Sequence, residues 1–389
     1  MNRPEPGTDQ PGFGTRCIHA GEAPDPTTGA HGVPLYQNVT YAFQTLDQIE
    51  GMRSGNRPHF SYSPRGNPTV RCLELKLASL EGTQNAVAFN SGMAAISTTL
   101  LTLLAGGGHL VAANNIYDLT RMLISSELAS LGCSVTYVDQ NDPDVVTAAM
   151  APETRAIYAE PFSNPQLQVS DVRQLAHIAS EHNVPLIIDN TFLSPALLRP
   201  AELGADIVIH SATKYLSGNG QIQAGVVAGR SSLLGPIREQ MMRLGTVMPP
   251  FAAWILLAGV HTLSLRMSRH SSNALHLARV LEAHPAVEYV AYPGLYSHPR
   301  HQLAASLVGN GDDRFGGMLS FMLRGDRPAL AAFIDSLELC TVAVSLGDCS
   351  TLVWPWTEGN LVRVSVGIED VVDLESDISR ALEAALQAV

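Results

Sequence analysis

The sequence of 389 residues lacks features that several broad classes of protein require. It contains no run of lysine and arginine, and its formal net charge is −12, so we expect no binding to nucleic acid or to an anionic membrane. Its five cysteines are scattered and form no C-x-x-C pair, which argues against a disulfide framework and a structural metal site. We therefore expect a protein of the reducing cytoplasm without a bound metal.

Long apolar segments are also missing from the sequence. The N-terminal residues are polar and rich in proline and glycine, and they lack the apolar core of a signal peptide. The longest apolar runs, near residues 100–104 and 252–260, are too short to span a bilayer and predict buried helices. We therefore expect no membrane-spanning segment.

What the sequence does contain is an ordinary globular composition, with 46% hydrophobic and 15% charged residues. The length exceeds that of one compact core, so we expect more than one lobe. Residues 1–60 predict an extended N-terminal arm that packs on another lobe or another subunit. Residues 61–250 alternate helical and strand-like segments, which predicts a large α/β domain with a mostly parallel sheet. Residues 251–389 predict a smaller α/β C-terminal domain.

Polar side chains follow three predicted strands of the large domain. Ligands of open α/β sheets bind beyond the carboxyl ends of the strands, which is where Glu160, Asp189 and residues 211–214 are expected. Between the first two strands, Asp171 and Gln174 have the spacing of a helix capping box. The predicted strands are Ala156–Glu160, Val184–Asn190 and Asp206–His210 in the large domain and Met318–Leu323 and Leu361–Val366 in the small one, before a final helix at Leu374–Ala388.

Two of these strand ends carry groups that together suit a cofactor with an aldehyde and a pyridine ring. Lys214, in the stretch HSATKYLSG, offers an amine, although alone it is more typical of a lysine whose stem lies along the surface. Asp189, which ends the apolar run LIID, offers a carboxylate that would keep a pyridine nitrogen protonated. The alternative for Asp189 is a turn or helix cap.

Two further groups complete this interpretation. The turn Asn90–Gly92 leads into a helix at Met93, and backbone N–H groups at a helix start attract a phosphate dianion. Ser211 and Thr213 would add hydroxyl donors, and Tyr117 would stack on the ring. Taken singly, the turn is typical of any strand-to-helix junction, and a lone tyrosine is typical of a core. Together the groups predict a site for pyridoxal 5′-phosphate (PLP).

Seven stretches carry a resemblance to a known family. The sequence resembles the trans-sulfuration (Cys/Met metabolism) family of fold-type I PLP-dependent enzymes from about residue 33 to residue 382. That family includes cystathionine γ-synthase, cystathionine lyases, methionine γ-lyase and O-acetylhomoserine sulfhydrylase. The stretches are YSPRGNPT (62–69), NSGMAAI (90–96), EPFSNP (160–165), DNTFLSP (189–195), HSATKYLSG (210–218), SLGD (345–348) and LVRVSVGIED (361–370).

The resemblance implies roles for residues that match the family's motifs. Lys214 matches the lysine that forms the Schiff base, Asp189 the partner of the pyridine nitrogen, and Tyr117 the stacking and activating tyrosine. It also implies a homotetramer of two catalytic dimers, in which Tyr62 contributes to the neighbouring active site by binding phosphate and contacting substrate. The remaining matches are phosphate ligands, Gly92, Met93, Ser211 and Thr213, and substrate-binding residues, Asn164, Ser345 and Arg363. Arginine suits the latter task because its planar fork pairs with a carboxylate.

Several positions depart from the family's pattern. Pro64 stands where the family has the arginine of a Tyr-x-Arg motif and has no N–H to donate, so either Arg65 makes that phosphate contact or the phosphate has one cationic ligand fewer. Tyr117 is followed by Asp118 and Leu119 instead of two small residues, and methionine γ-lyases carry a cysteine at the position of Leu119. Val344 precedes Ser345 where cystathionine-specific members have glutamate. The usual loop before Arg363 is shortened and carries Trp354 and Trp356, which either reshape the pocket or pack against the N-terminal arm.

The resemblance implies a C–S lyase or γ-replacement enzyme that acts on a homoserine- or cysteine-derived amino acid, as cystathionine γ-lyase or γ-synthase does. Activity like that of methionine γ-lyase or O-acetylhomoserine sulfhydrylase is the alternative, as is a specialised enzyme for an unusual amino acid. From another class, the altered phosphate motif leaves a PLP-binding protein without catalysis open. An aminotransferase is disfavoured because the motifs match the trans-sulfuration branch.

Overall fold

The computed structural model of the protein describes residues 11–55, 60–308, 314–356 and 359–388. Within these ranges the strands form a seven-stranded sheet and a five-stranded sheet. The α/β fold with a mostly parallel large sheet, predicted from the alternation of segments, is confirmed. The boundaries proposed between arm, large domain and small domain stay predictions.

The large sheet has the strand order β1-β7-β6-β5-β4-β2-β3. Four of its pairings are parallel, and β7 runs antiparallel to both of its neighbours. Its central strands are buried on both faces, as strands covered by helices must be. The strands are β1 Asn85–Phe89, β2 His109–Ala113, β3 Ser134–Val138, β4 Thr154–Ala159, β5 Leu186–Asp189, β6 Ile207–His210 and β7 Gly225–Gly229.

The small sheet has the strand order β10-β11-β12-β9-β8 and is antiparallel except between β10 and β11. The predicted strand at Met318–Leu323 is confirmed with both bounds, and the predicted strand at 361–366 ends one residue early. The segment around the two tryptophans forms a strand instead of the expected loop. The strands are β8 Val287–Ala291, β9 Met318–Leu323, β10 Thr341–Val342, β11 Leu352–Trp356 and β12 Leu361–Ser365.

Fourteen α-helices lie in the described part of the chain. The predicted helix after Asp171 is confirmed as Val172–Glu181. It begins there because the Asp171 carboxylate accepts hydrogen bonds from the N–H groups of Arg173 and Gln174. The helices are α1 Phe13–His19, α2 Leu46–Arg53, α3 Pro68–Glu81, α4 Gly92–Leu103, α5 Asp118–Met122, α6 Pro143–Ala148, α7 Val172–Glu181, α8 Ser194–Leu197, α9 Ser231–Leu244, α10 Pro250–His261, α11 Leu263–Ala283, α12 His301–Val308, α13 Arg327–Asp335 and α14 Val371–Gln387.

The described start of the N-terminal arm is anchored to α3 of the same chain. The buried ammonium of Lys76 donates to the carbonyl groups of Cys17 (2.7 Å) and Ile18 (2.8 Å) and pairs with Glu22 (3.0 Å). Three oxygen partners compensate the cost of burying that charge. This segment therefore packs on a helix of its own chain.

Two consecutive helices, α10 and α11, are separated by a single residue. No helix in the described ranges is long and apolar enough to cross a membrane alone. Helices α10 and α11 meet the length and composition requirement only together, and they are bent by 61° at their junction.

Candidate active site

A cavity of about 640 Å³ lies at the carboxyl ends of β4, β5 and β6 and is closed on one side by the small sheet. It is lined by ten of the twelve site residues predicted from the sequence. The remaining two, Tyr62 and Arg65, do not line it. The ten are Gly92, Met93, Tyr117, Asn164, Asp189, Ser211, Thr213, Lys214, Ser345 and Arg363.

Lys214 lies in the turn that follows β6, and its side chain reaches across the cavity toward the small sheet. The ammonium Nζ donates a hydrogen bond to Ser345 Oγ over 2.7 Å. Burial, and secondarily the nearby charge of Arg363, lower the pKa of Lys214 from 10.5 to about 8. A substantial fraction of this amine is therefore neutral near physiological pH, as a nucleophile and proton acceptor requires.

Asp189 ends β5 and is buried at the inner end of the cavity. Its carboxylate accepts hydrogen bonds from the Thr191 hydroxyl (2.5 Å), the Thr191 N–H (3.1 Å) and the Tyr158 hydroxyl (3.3 Å). Burial raises the pKa of Asp189, and the bonds from Thr191 oppose that rise. A pyridinium cation facing Asp189 would also stabilise the charged carboxylate and so oppose the rise in its pKa.

Glu160, the first residue after β4, is a second buried carboxyl group in the cavity. It accepts a hydrogen bond from the backbone N–H of Tyr117 over 2.7 Å and so fixes the start of α5. Burial and the neighbouring charge of Asp189 raise the pKa of Glu160 well above its usual range. Of the two carboxyl groups, we assign the proton to Glu160 because Asp189 accepts more hydrogen bonds.

The start of α4 forms a concave wall beside Ser211. Ser91 caps the helix through a bond from Ala94 N–H (3.1 Å), while the amides of Gly92 and Met93 have no partner inside the helix. A Cβ at Gly92 would lie only 2.8 Å from the Cβ of Ser211, so only glycine permits this close approach. Two unpaired amides beside the Ser211 and Thr213 hydroxyl groups fit a phosphate group. The donors therefore match the anionic end of PLP.

Arg363 projects from β12 of the small sheet and is buried. Its guanidinium donates to Asn164 Oδ1 (3.1 Å) and to the Ser345 carbonyl oxygen (2.9 Å). The ring of Trp356 stacks on it, with its centroid 5.3 Å from Arg363 Cζ. Three contacts hold the planar fork in one orientation, which suits recognition of a carboxylate.

The two tryptophans before Arg363 line the cavity, which decides between their two sequence interpretations. The tryptophan that contacts the N-terminal arm is Trp254, whose indole N–H donates to the Val33 carbonyl over 3.1 Å. Asp118 and Val344 also line the cavity. Leu119 is not among its lining residues in the described part of the chain.

Tyr62 and Arg65 line a separate depression with Glu239 and Met242. Tyr62 is 46% exposed. Within a single chain, the side chains of Tyr62 and Arg65 both lie outside the cavity that holds Lys214. The structure of a single chain therefore does not bring these two predicted phosphate contacts together with the other ten residues.

Sequence reasoning missed the contacts that hold the predicted residues in place. Thr191 directly follows the Asp189-Asn190 pair, but nothing in its position signals that its hydroxyl links Asp189 to the Ser211 N–H (2.8 Å). A simple count would have strengthened the assignment of Lys214. The chain has only two lysines, Lys76 and Lys214, and the other is buried against the N-terminal arm.

Comparison with known proteins identifies relatives along almost the whole chain. The profile described as "Cys/Met metabolism PLP-dependent enzyme" matches residues 14–383. The L-methionine γ-lyase of Pseudomonas putida is 40% identical, with 96% of this chain and 98% of that protein covered. The cystathionine β-lyase of Lactococcus lactis subsp. cremoris is 39% identical (95% and 98% covered), and the O-succinylhomoserine sulfhydrylase of Pseudomonas aeruginosa is 37% identical (96% and 95% covered).

Solved structures agree with the profile. The structure of MetB from Corynebacterium glutamicum superposes with a TM-score of 0.90 at 34% identity and covers 96% of this chain and 98% of its own. A Campylobacter jejuni structure assigned to an O-acetylhomoserine (thiol)-lyase gives a TM-score of 0.90 at 30% identity, with 96% and 100% covered. That structure carries N′-pyridoxyl-lysine-5′-monophosphate. Both superpositions extend over the two sheets that enclose the cavity.

Proposed function

The chain belongs to the Cys/Met metabolism family of PLP-dependent enzymes, and from that premise we propose which atoms it acts on and which residues act. The proposed reaction is elimination or replacement of the sulfur or acyl-oxygen substituent on the side chain of a homoserine- or cysteine-derived amino acid. The relatives support this reaction class because they are named as methionine γ-lyase, cystathionine β-lyase and O-succinylhomoserine sulfhydrylase.

One observation carries the proposal. The amine of Lys214, the buried carboxylate of Asp189 and the oriented guanidinium of Arg363 face one cavity. When bound, PLP supplies an electron sink for the amino-acid carbon that loses a proton. Asp189 would face the ring nitrogen, Tyr117 would stack on the ring, and the amides of Gly92 and Met93 would hold the phosphate with Ser211 and Thr213.

Lys214 would both hold the cofactor and move protons on the substrate. Arg363, oriented by Asn164 and Ser345, would bind the substrate's α-carboxylate and so bring the Cα–H bond toward Nζ of Lys214. Lys214 would accept the Cα proton, and for a γ-substituent it would have to release that proton and become neutral again before it takes a second proton from Cβ. Its lowered pKa suits both steps, because the neutral amine is the base.

The decisive experiment is product analysis with purified enzyme. Cystathionine, methionine, homocysteine, O-acetylhomoserine and O-succinylhomoserine are each incubated with and without a thiol, and 2-oxo acid, ammonia and replacement products are measured. We expect 2-oxobutyrate or a thiol-replacement product from at least one compound. If none of them reacts in either assay, the proposed reaction class is wrong for this chain.

Exchange of the Cα proton in deuterated water separates a slow enzyme from a non-catalytic binding protein. We expect mass spectrometry to show deuterium at Cα of a bound amino acid even where no product forms, because proton removal precedes loss of the substituent. Normal PLP binding without any exchange would support the non-catalytic alternative instead.

We also propose that the enzyme is a cytoplasmic homotetramer in which Tyr62 and Arg65 complete the active site of a neighbouring subunit. Their exposure outside the cavity of their own chain supports this arrangement. Mixing an inactive Lys214→Ala variant with an inactive Tyr62→Ala variant tests it. Subunit exchange is expected to restore part of the activity, since some mixed sites then contain both residues; no recovery, with exchange verified, would contradict it.

A further inference from the structure

The charges that line the cavity are unevenly divided. Among the lining residues in the ranges that the structure describes, Lys214 and Arg363 are the two cations. The proposed function assigns both of them, Lys214 to the cofactor and Arg363 to the substrate's α-carboxylate. The acidic lining residues are Asp118, Glu160 and Asp189, and of these Asp118 is the exposed one, at the start of α5. The proposed function adds the neighbouring subunit's Arg65, but as a phosphate contact, so no cation of the described site is left to pair with a second carboxylate on the substrate, and the exposed carboxylate of Asp118 would repel it.

An apolar surface occupies the side of the cavity formed by the small sheet. Trp354 on β11 lies opposite Arg363 on β12, so both side chains leave the sheet on the same face, with Trp356 two residues further along it. The N–H of Ala343 donates to the Val353 carbonyl over 3.1 Å, which holds the following residue, Val344, alongside β11. We call Val344 and Trp354 the apolar wall.

The two tryptophans have different surroundings. The ring of Trp356 lies against the guanidinium of Arg363 and helps to orient it. Trp354 is half-buried and lines the cavity beside it. Val344 is 61% exposed and adds no polar group. An apolar substituent that packs against the apolar wall would be stabilised by burial of apolar surface. A charged substituent in the same place would lose hydration without gaining a partner.

We propose that the apolar wall and Asp118 together select amino acids whose side-chain substituent is an uncharged alkyl or aryl group, and exclude those whose substituent carries a carboxylate. This inference rests on the proposed function, because it takes Lys214 and Arg363 as already engaged. The preferred substrates are then thioethers or esters with apolar ends. Substrates that end in a second amino acid or a succinyl group are disfavoured.

The test uses two unreactive amino acids of equal length, 2-aminoheptanoate and 2-aminopimelate, which differ only by a terminal methyl or carboxylate. Their dissociation constants for the holoenzyme are measured by calorimetry. We expect 2-aminoheptanoate to bind at least tenfold more tightly, since an unpaired carboxylate beside Asp118 costs about 1.4 kcal/mol or more, the equivalent of that factor. Equal affinities, or tighter binding of 2-aminopimelate, would overturn the proposal.

Substitutions at two positions assign the effect to the residues named. Trp354→Ala is expected to weaken 2-aminoheptanoate about tenfold and to change 2-aminopimelate less than threefold, while Trp354→Phe retains most of the difference. Asp118→Asn is expected to strengthen 2-aminopimelate about threefold. Trp254→Ala is the matched control, because Trp254 contacts the arm and not the cavity. A ratio that is unchanged in Trp354→Ala, or altered equally in Trp254→Ala, contradicts the proposal.

Binding and turnover separate this inference from the proposed function. If no compound is turned over but the affinity ratio follows the expectation, the selectivity stands and the proposed reaction fails. If O-acetylhomoserine and O-succinylhomoserine react with equal kcat/KM and the affinities are equal, the reaction stands and the selectivity fails.

Discussion

The inner and outer parts of the cavity are built differently. In the inner part, formed by Asp189, Thr191 and Lys214, side chains form hydrogen bonds to other groups of the chain over 2.5 to 3.3 Å. In the outer part, Asp118 and Val344 are exposed. The inner part is thus arranged before substrate arrives, as electrostatic catalysis requires. The outer part can change its residues without disturbing that arrangement.

The sheet explains why the two parts differ. Residue pairing between β5 and β6 places Asp189 beside Ile209, so Asp189 and the turn with Lys214 emerge at the same edge. That register is fixed by the buried central strands. Trp354 lies on a strand of the small sheet, so its position does not depend on the central register. Asp118 starts a five-residue helix and is tied to the large sheet only through the bond from the Tyr117 N–H to Glu160. We expect inner substitutions to change kcat and outer substitutions to change which substrate is accepted.

The largest expected effect tests the inner part. Lys214→Ala should lower kcat/KM by more than about 10³-fold, because it removes both the covalent attachment point and the proposed base. Borohydride reduction followed by peptide mass spectrometry should find the cofactor on Lys214 of the native protein and on no residue of the variant. Lys214→Arg, which keeps the positive charge, should be equally inactive. Activity within tenfold of native in either variant would show that another group performs the chemistry.

Arg363 connects the inner and outer parts, and its removal should give the next largest effect. Arg363→Ala should raise KM about 100-fold, since the substrate carboxylate loses a charge-assisted, buried partner. Trp356→Ala should raise KM only about tenfold because it leaves the guanidinium in place but less well oriented. Steady-state kinetics on one substrate separates the two variants. A fall in kcat with KM unchanged in Arg363→Ala would place Arg363 in the chemical step instead.

The inner part was the more predictable from the sequence, for a physical reason. Strands of parallel sheets share one carboxyl edge, so polar residues that follow LIID and DIVIH had to come together. The family resemblance then gave them roles. What could not be predicted is the bonding between them, because the bond from the Thr191 hydroxyl to Asp189 depends on a turn geometry that no periodicity encodes.

The strand β11 shows the opposite limit of sequence reasoning. Pro355 lies inside it, and proline is normally taken as a sign against a strand. The strand forms by pairing with β12 along its whole length. Proline is tolerated in it because β10 pairs only with Leu352 and Val353, so no residue of β10 needs a hydrogen bond from the position of Pro355. Long-range pairing therefore decided the conformation of this segment. The pairing of β11 with β12 also places Trp354 beside Arg363, and the spacing of the two residues along the chain does not reveal that they are neighbours.

A tenfold effect is expected from the residue that supports Asp189. Thr191→Val keeps the shape of the side chain but removes the 2.5 Å bond to Asp189 and leaves the Ser211 N–H unpaired. The Thr191 bonds oppose the rise in the pKa of Asp189, so the pKa of Asp189 should rise further and kcat should fall about tenfold. Thr191→Ser, which keeps the hydroxyl, is the matched control and should retain most activity. A loss of activity in Thr191→Ser with Thr191→Val unaffected would indicate a packing effect of the methyl group instead.

The smallest expected effect concerns the charge state of Lys214 itself. With a pKa of about 8, roughly one-tenth of Lys214 is neutral at pH 7 and half at pH 8, so its labelling by acetic anhydride in the apoenzyme should rise about fivefold over that interval. Mass spectrometry resolves this signal cleanly because the only other lysine, Lys76, is fully buried. Arg363→Gln removes a nearby cation, so the pKa should rise and the midpoint should move to higher pH. A midpoint near 10.5 in the native protein would mean that the inner part does not activate its amine, and the distinction between the two parts would lose its chemical basis.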